Sequence, residues 1–143
     1  MADLKNYRPD EVSVILGAII IEGFADGTFV SIEHDEDRFS LHVGADGQAT
    51  RAKNCNKSGT IRFTLMASSA SNAVLSAQLE LDHRTPGGVG VVPLLIKDNE
   101  GYSLHTSKEA WIQKDPSVEY AKEPGNNEWI IRCAELINIP GGA

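Results

Sequence analysis

Cysteine is scarce. Cys55 and Cys133 are the only thiols in 143 residues, too few for a disulfide scaffold or a four-thiolate zinc site. No apolar run approaches the roughly 18 residues of a membrane-spanning helix. The opening segment, residues 1–12, lacks the apolar stretch of a secretory signal. The expectation is therefore no membrane anchor and synthesis in the cytoplasm. Basic residues are outnumbered, 13 Lys and Arg against 20 Asp and Glu, a net charge of -7. That is a poor footprint for gripping a phosphate backbone, which calls for clustered Lys and Arg. It suits a surface that nucleic acid slides past, because carboxylates prevent sticking.

Catalytic and cofactor motifs are also missing. The four histidines, His34, His42, His83 and His105, include no i, i+4 pair of the kind that holds zinc on a helix. One hairpin bringing His34 to His42 would supply two ligands at most. Asp35-Glu36-Asp37 has neither the glycine nor the distant bidentate Glu of a calcium loop. Gly87-Gly88-Val89-Gly90 is not followed by Lys-Ser or Lys-Thr and opens a strand, so it lacks the helix N-terminus of a phosphate cradle. No serine sits in a Gly-x-Ser-x-Gly elbow. Cys55 lies between Lys53 and Lys57, but a catalytic thiol also needs a positioned histidine, which spacing does not reveal. Metal, cofactor and enzyme readings are set aside on these grounds.

What is present is a succession of short β-type runs. With 41% apolar and 23% charged residues the chain resembles a folded domain, not a disordered one, and its length suits one domain spanning 1–143. Residues 1–10 are polar and carry Pro9, an N-terminal arm. Residues 12–21 are β-branched and interrupted by Gly17, predicting one strand bent at the glycine. Asp26-Gly27 predicts a hairpin turn, with 29–34 as the returning strand. Residues 39–43 alternate and form a third strand. Asp46-Gly47 marks a turn, after which 48–58 is polar and ends in a loop. Residues 60–66 have the cleanest period of two, with Ile61, Phe63 and Leu65 on one face.

One segment departs from this pattern. A helix capped by Ser69 or Ser71 is predicted over about 70–83, with Ala73, Val74, Ala77 and Leu81 at helical spacing and Leu75 and Leu79 on a neighbouring strip. Further strands are predicted at 89–96, where Pro93 calls for an edge or a bulge, at 102–106, at 109–114 and at 128–137. Turns at 115–116 and 123–127 bracket 118–121. Many short strands separated by turn signals roughly every 8–12 residues indicate a mainly β sandwich or barrel.

Charge is segregated. Glu22, Asp26, Glu33, Asp35, Glu36 and Asp37 have no base among them, whereas Arg51, Lys53, Lys57 and Arg62 have no acid among them. Two such blocks either pair between copies of the chain, head to tail, giving rings or filaments, or face each other across strands within one copy. A chain of many short strands also has edges that must be blunted or paired. Pairing with another copy is one solution.

The run 23–77, with GFADGTFVS, the VGADG turn followed by TRAKN and KSGTI, and later LIKDN, HTSKEAWIQKDP and NNEWIIRCAELINIPGG, resembles the tube proteins of contractile-tailed bacteriophages. These are in turn similar to the ring-forming tube proteins of type VI secretion. The resemblance covers nearly the whole chain. It implies two packed antiparallel sheets in a sandwich or barrel with one flanking helix. It also implies six copies joined into a ring and rings stacked into a tube, with no catalytic residue and no cofactor. The implied partners are further copies of the chain, the tail sheath, and baseplate and tail terminator proteins. DNA would pass down the lumen without specific binding, in a virion tail assembled in the host cytoplasm.

In this reading residues 44–58 extend toward a neighbouring ring. Arg51, Lys53, Cys55 and Lys57, with Glu33, Asp35, Glu36 and Asp37, are the inter-subunit contacts. Cys55 is a candidate for an inter-subunit disulfide once the virion leaves the reducing cytosol; Cys133 reads as a small buried hydrophobe. A tube subunit of type VI secretion or of a phage-tail-like bacteriocin is the related alternative, and a small β-barrel binding module or enzyme the unrelated one.

Overall fold

Strands dominate because apolar residues recur at every second position. In the computed structural model, which describes residues 8–99 and 103–140, ten strands, one α-helix and a single 3-10 turn at Pro9–Glu11 are present among the described residues; the rest of the expected N-terminal arm, 1–7, lies outside them. The strands are β1 (Val12–Leu16), β2 (Ile19–Ile21), β3 (Val30–His34), β4 (Phe39–Val43), β5 (Ala49–Lys53), β6 (Gly59–Met66), β7 (Val92–Asp98), β8 (Leu104–Lys114), β9 (Asn126–Cys133) and β10 (Ile137–Ile139). The helix α1 is Ser71–Arg84 and follows β6.

Two antiparallel sheets result. The larger runs β2-β1-β7-β8-β9-β6-β3, with β10 added beside β8; the smaller is the β4-β5 pair alone. The long strand β8 joins two regions of the larger sheet. Its first residues pair with β7 and β10, and its last residues pair with β9. The sheet folds over one core, in which Val14, Leu16, Leu94 and Ile96 pack with Ile61, Phe63, Leu65, Trp129 and Ile131. The arrangement is sandwich-like and not a closed barrel.

The period-two strands turn the expected faces inward: Ile61, Phe63 and Leu65, and Trp129, Ile131 and Cys133, are all buried. Elsewhere the structure corrects local expectations. The segment 12–21 is not one bent strand but a tight hairpin, with Leu16 opposite Ile19 and Gly17 at φ 61, a conformation that L side chains rarely adopt. Asp26-Gly27 is not a hairpin turn, because β3 pairs with the distant β6 and not with β2. The two strands expected at 102–106 and 109–114 are one, β8, and Tyr102 lies outside the described residues. The strand expected over 128–137 is broken into β9 and β10. Residues 118–121 lie in an irregular connection, and Asn126 and Asn127 belong to β9 instead of a turn. Pro93 sits between two neighbouring strands at a register shift, so it is accommodated by a bulge and not by an edge.

The helix begins without the expected cap. Its N-cap residue is Ala70, with no side-chain cap hydrogen bond. The Ser69 hydroxyl accepts from the Ser71 amide at 3.2 Å from just outside the helix, and both serines also bind the chain after β2. The Ser69 hydroxyl donates to the Glu22 carbonyl at 2.6 Å, and the Glu22 amide donates to the Ser71 hydroxyl at 3.0 Å. Leu75 enters the core, and the Asn72 side-chain oxygen accepts from the Trp129 indole N–H at 2.9 Å. No described helix is long and apolar enough to cross a membrane.

Candidate functional site

The β4-β5 ribbon stands apart from the folded body. Its register places Phe39 opposite Lys53, Leu41 opposite Arg51 and Val43 opposite Ala49. These six residues share one face, because alternate side chains point the same way. Every residue of β4 is exposed, Leu41 at 67%. The Arg51 guanidinium lies 4.2 Å above the Phe39 ring, a cation–π contact. The segment expected over 44–58 therefore divides into the ribbon tip at 44–48, strand β5, and a return at 54–58. The tip is closed by the Gly44 amide donating to the Gln48 carbonyl at 2.8 Å.

A polar network fixes the foot of the ribbon. The Asn54 amide donates to the Arg38 carbonyl at 2.9 Å, continuing the ladder one step past β5. The Asn54 and Asn56 side chains both donate to Glu36 Oε2, at 2.9 and 3.0 Å. Those two bonds hold the Glu36 carboxyl below its ordinary pKa. The Asp37 main-chain carbonyl accepts a further bond from Asn54 at 3.1 Å.

Asp35 is the centre of the next layer. It accepts from Thr60 Oγ1 at 2.6 Å, from Ser58 Oγ at 2.7 Å, and from both terminal nitrogens of Arg132 at 3.2 and 2.8 Å. The Thr60 and Ser58 bonds, with the Arg132 charge, hold its carboxyl below the usual value against the opposing effect of desolvation. Arg132 also donates to Thr60 Oγ1 at 2.9 Å. Close backbone approach completes the foot: a side chain at Gly59 would run into Leu136 and the Glu33 carbonyl.

Most of the acids singled out from sequence thus have partners in their own chain. Glu33 pairs with Arg62 at 3.1 Å, and Arg62 also reaches Glu128 at 4.0 Å. The acidic and basic blocks therefore meet inside one copy at Glu33 and Arg62. The cation on Asp35, however, is Arg132, which lies outside both blocks and which charge patterning did not single out. Its only sequence signal is its place on the outward face of β9. Among the bases, Lys57 is 3.7 Å from Glu135, while Arg51 and Lys53 ride on the ribbon. Cys55 is exposed in the return segment and Cys133 is buried; burial raises the Cys133 thiol pKa and keeps it protonated.

The remaining histidine of interest, His105, lines a cavity of about 410 Å³ together with Phe29, Val30, Ile32, Ile96 and Asp98. Desolvation lowers its pKa. Among the described residues no group of three or more His, Cys, Asp or Glu side chains could hold a metal ion.

Comparison with known proteins matches this chain to a family model described as the bacteriophage PhiTE tail tube protein, over residues 17–141. A structural protein of Pseudomonas phage KPP10, ORF10, is 32% identical over 144 residues, covering 96% of this chain and 83% of that protein. Solved structures share the fold at low identity. A tube-terminating cap of the anti-feeding prophage has a TM-score of 0.62 at 11% identity, covering 97% of this chain and 94% of the other. A chain from the extended sheath–tube complex of an extracellular contractile injection system has a TM-score of 0.62 at 13% identity, covering 94% and 91%. The family is structural, not enzymatic. With the match extending over nearly the whole fold, from the β1-β2 turn past β10, the chain belongs to the PhiTE-type family of bacteriophage tail tube proteins.

Proposed function

We propose that copies of this chain join into six-membered rings that stack into a hollow tail tube. The genome passes through the lumen, and contraction of a surrounding sheath drives the tube through the host envelope. The observation that carries this reading is the β4-β5 ribbon, a two-stranded element with no sheet beneath it among the described residues and with Phe39, Leu41 and Val43 open to water beside Arg51 and Lys53. An isolated two-stranded hairpin is at best marginally stable, so a ribbon of this kind is completed by a neighbour. Among the described residues the larger sheet also ends in β2 and β3, each paired on one side only, and edges of that kind recruit a further chain unless blunted.

Arg51, Lys53, Cys55 and Lys57 on and below the ribbon, with Glu33, Asp35, Glu36 and Asp37 at its foot, form the inter-subunit zone in this reading. The net charge of -7 suits a conduit that DNA traverses without being held. The sheath, the baseplate and a terminator at the tube end are the proposed partners. Support for the sheath and terminator comes from solved relatives of the same fold that were determined in a sheath–tube complex and in terminator assemblies. Assembly takes place in the host cytoplasm, and the product is part of the virion.

Electron microscopy of the purified chain tests the reading. Rings or tubes with a central hole are the expected result. A uniform monomer at high protein concentration would overturn it and favour a binding module. Because solved relatives include an extracellular injection system, a genome-free tube is the second reading; capsid genes beside the coding sequence separate the phage tube from it.

A further inference from the structure

Aspartate followed by glycine occurs twice. Ala25-Asp26-Gly27 and Ala45-Asp46-Gly47 are identical triplets, and no asparagine precedes a glycine. Both aspartates are exposed. Both glycines adopt the same left-handed backbone, Gly27 at φ 88 and Gly47 at φ 86, with open space where a Cβ would stand. Sequence and steric access therefore predict equal chemistry at the two sites. Their hydrogen bonds differ.

At the first site the Gly27 amide donates to Asp26 Oδ1 at 3.0 Å. No other bond of that amide is found among the described residues. At the second site the same two groups are engaged elsewhere. The Gly47 amide donates to the Gly44 carbonyl at 3.0 Å, and Asp46 Oδ1 accepts from the Gln48 amide at 3.1 Å. The amide and carboxyl of Asp26-Gly27 thus face each other, whereas those of Asp46-Gly47 are held by third groups.

We infer that Asp26 is a site of spontaneous isomerisation to isoaspartate and that the ribbon tip protects Asp46 from the same change. The Gly27 nitrogen attacks the carboxyl carbon of Asp26 in its protonated form. A C–N bond forms, and the carboxyl hydroxyl leaves with the amide proton as water, giving a five-membered succinimide. Water then adds to the backbone carbonyl of that ring and breaks its bond to nitrogen. The chain now runs through the side-chain carbon, and the former backbone carbonyl is a free carboxylate. One water is lost and one regained, so no co-reactant is required. Reacting groups held at roughly 3–3.5 Å are already placed for such a step. At Asp46 two hydrogen bonds must open first, and two bonds of ordinary net strength slow a reaction by about fivefold to a hundredfold.

The fold also sets where the change is felt. The Ala25 amide donates to the Thr64 carbonyl, and the Thr64 amide to the Phe29 carbonyl, both at 2.9 Å. The loop is therefore tied to β6 on either side of Asp26. Isomerisation inserts one methylene carbon into the backbone between these ties, at the rim of the His105 cavity, which Gly27 and Phe29 line. This chemistry is independent of assembly into tubes.

Peptide mapping of aged protein tests the site. The native chain is incubated warm in mildly acidic buffer, dilute enough that light scattering detects no assembly, and a parallel sample is kept unfolded in urea. Trypsin then puts Asp26 and Asp46 in different peptides, because Arg38 lies between them. Isoaspartate in each is counted by enzymatic methylation with a protein isoaspartyl methyltransferase. From the folded chain, at least fivefold more is expected in the Asp26 peptide. In urea the two should agree within twofold, since the triplets are the same. Asp26→Glu, which would need a six-membered ring, should bring the first peptide to background. A folded ratio within twofold, or one favouring Asp46, would overturn the assignment. So would a urea ratio as large as the folded one, because the preference would then belong to flanking sequence and not to the fold.

Discussion

Asp35 illustrates how one side chain separates structural work from surface decoration. It accepts bonds from two hydroxyls and both ends of a guanidinium, and bonds to a charged group each contribute about 1.5–3 kcal/mol. Glu33 has one exposed ion pair to Arg62, of the type worth about 0–1 kcal/mol. Urea unfolding of the unassembled chain should therefore show Asp35→Ala less stable by about 2–4 kcal/mol, and Glu33→Ala changed by less than about 1 kcal/mol. The Asp35 carboxyl has a lowered pKa in the fold. Its contribution is thus fully present above the unfolded value of about 3.9 and is lost as pH falls through the folded value. The stability gap between the native chain and Asp35→Asn should stay constant above about pH 5 and shrink below about pH 4, as measured by urea midpoints across that range. Sequence made Asp35 visible as one of six clustered acids. Arg132, 97 residues away, was not legible as its partner, since only the pairing of β9 beside β6 brings it near.

At the scale of elements, burial decided what was readable. Strand β6 announces itself because Ile61, Phe63 and Leu65 alternate with Thr60, Arg62 and Thr64, and β9 because Trp129, Ile131 and Cys133 recur at every second position. Strand β5 falls inside the polar stretch 48–58 and carries no strand signal, because Ala49–Lys53 has no core to face and so no alternation to detect. The mistaken hairpin at Asp26-Gly27 has a different cause. Turn chemistry is local, whereas the partner of β3 lies some thirty residues further on, where Val30 meets Phe63. Two predictions belong here. The helix is tied to the core by Asn72, so Asn72→Ala leaves the buried Trp129 N–H without its acceptor. It should cost about 1–3 kcal/mol in thermal or urea unfolding and shift the tryptophan emission. The ribbon behaves oppositely: Leu41→Asp should leave the monomer within about 0.5 kcal/mol of native stability, because the site is open to water. The same substitution should sharply reduce the yield of tubes counted in micrographs.

For the molecule as a whole, charge and open edges are the relevant quantities. Arg51 and Lys53 are exposed on a ribbon that projects away from a chain of net charge -7. Arg51→Glu or Lys53→Glu should weaken polymerisation, and the loss should be larger in 10 mM than in 500 mM salt, because screening shortens the reach of surface charge. Sedimentation of assembled material at the two salt concentrations checks it, and equal yields throughout would remove these bases from the contact. The sandwich-like class was legible from strand number and turn spacing, while the strand order was not, because non-local pairing leaves no mark on neighbouring residues. One consequence concerns load. Strand β8 is shared between the region built on β7 and β10 and the region built on β9. Tension applied to either reaches the other along a covalent backbone, without having to cross a greasy slip plane of interdigitated side chains. A subunit wired in this way resists shear between its halves, a mechanical property that the proposed needle, pushed from behind, requires.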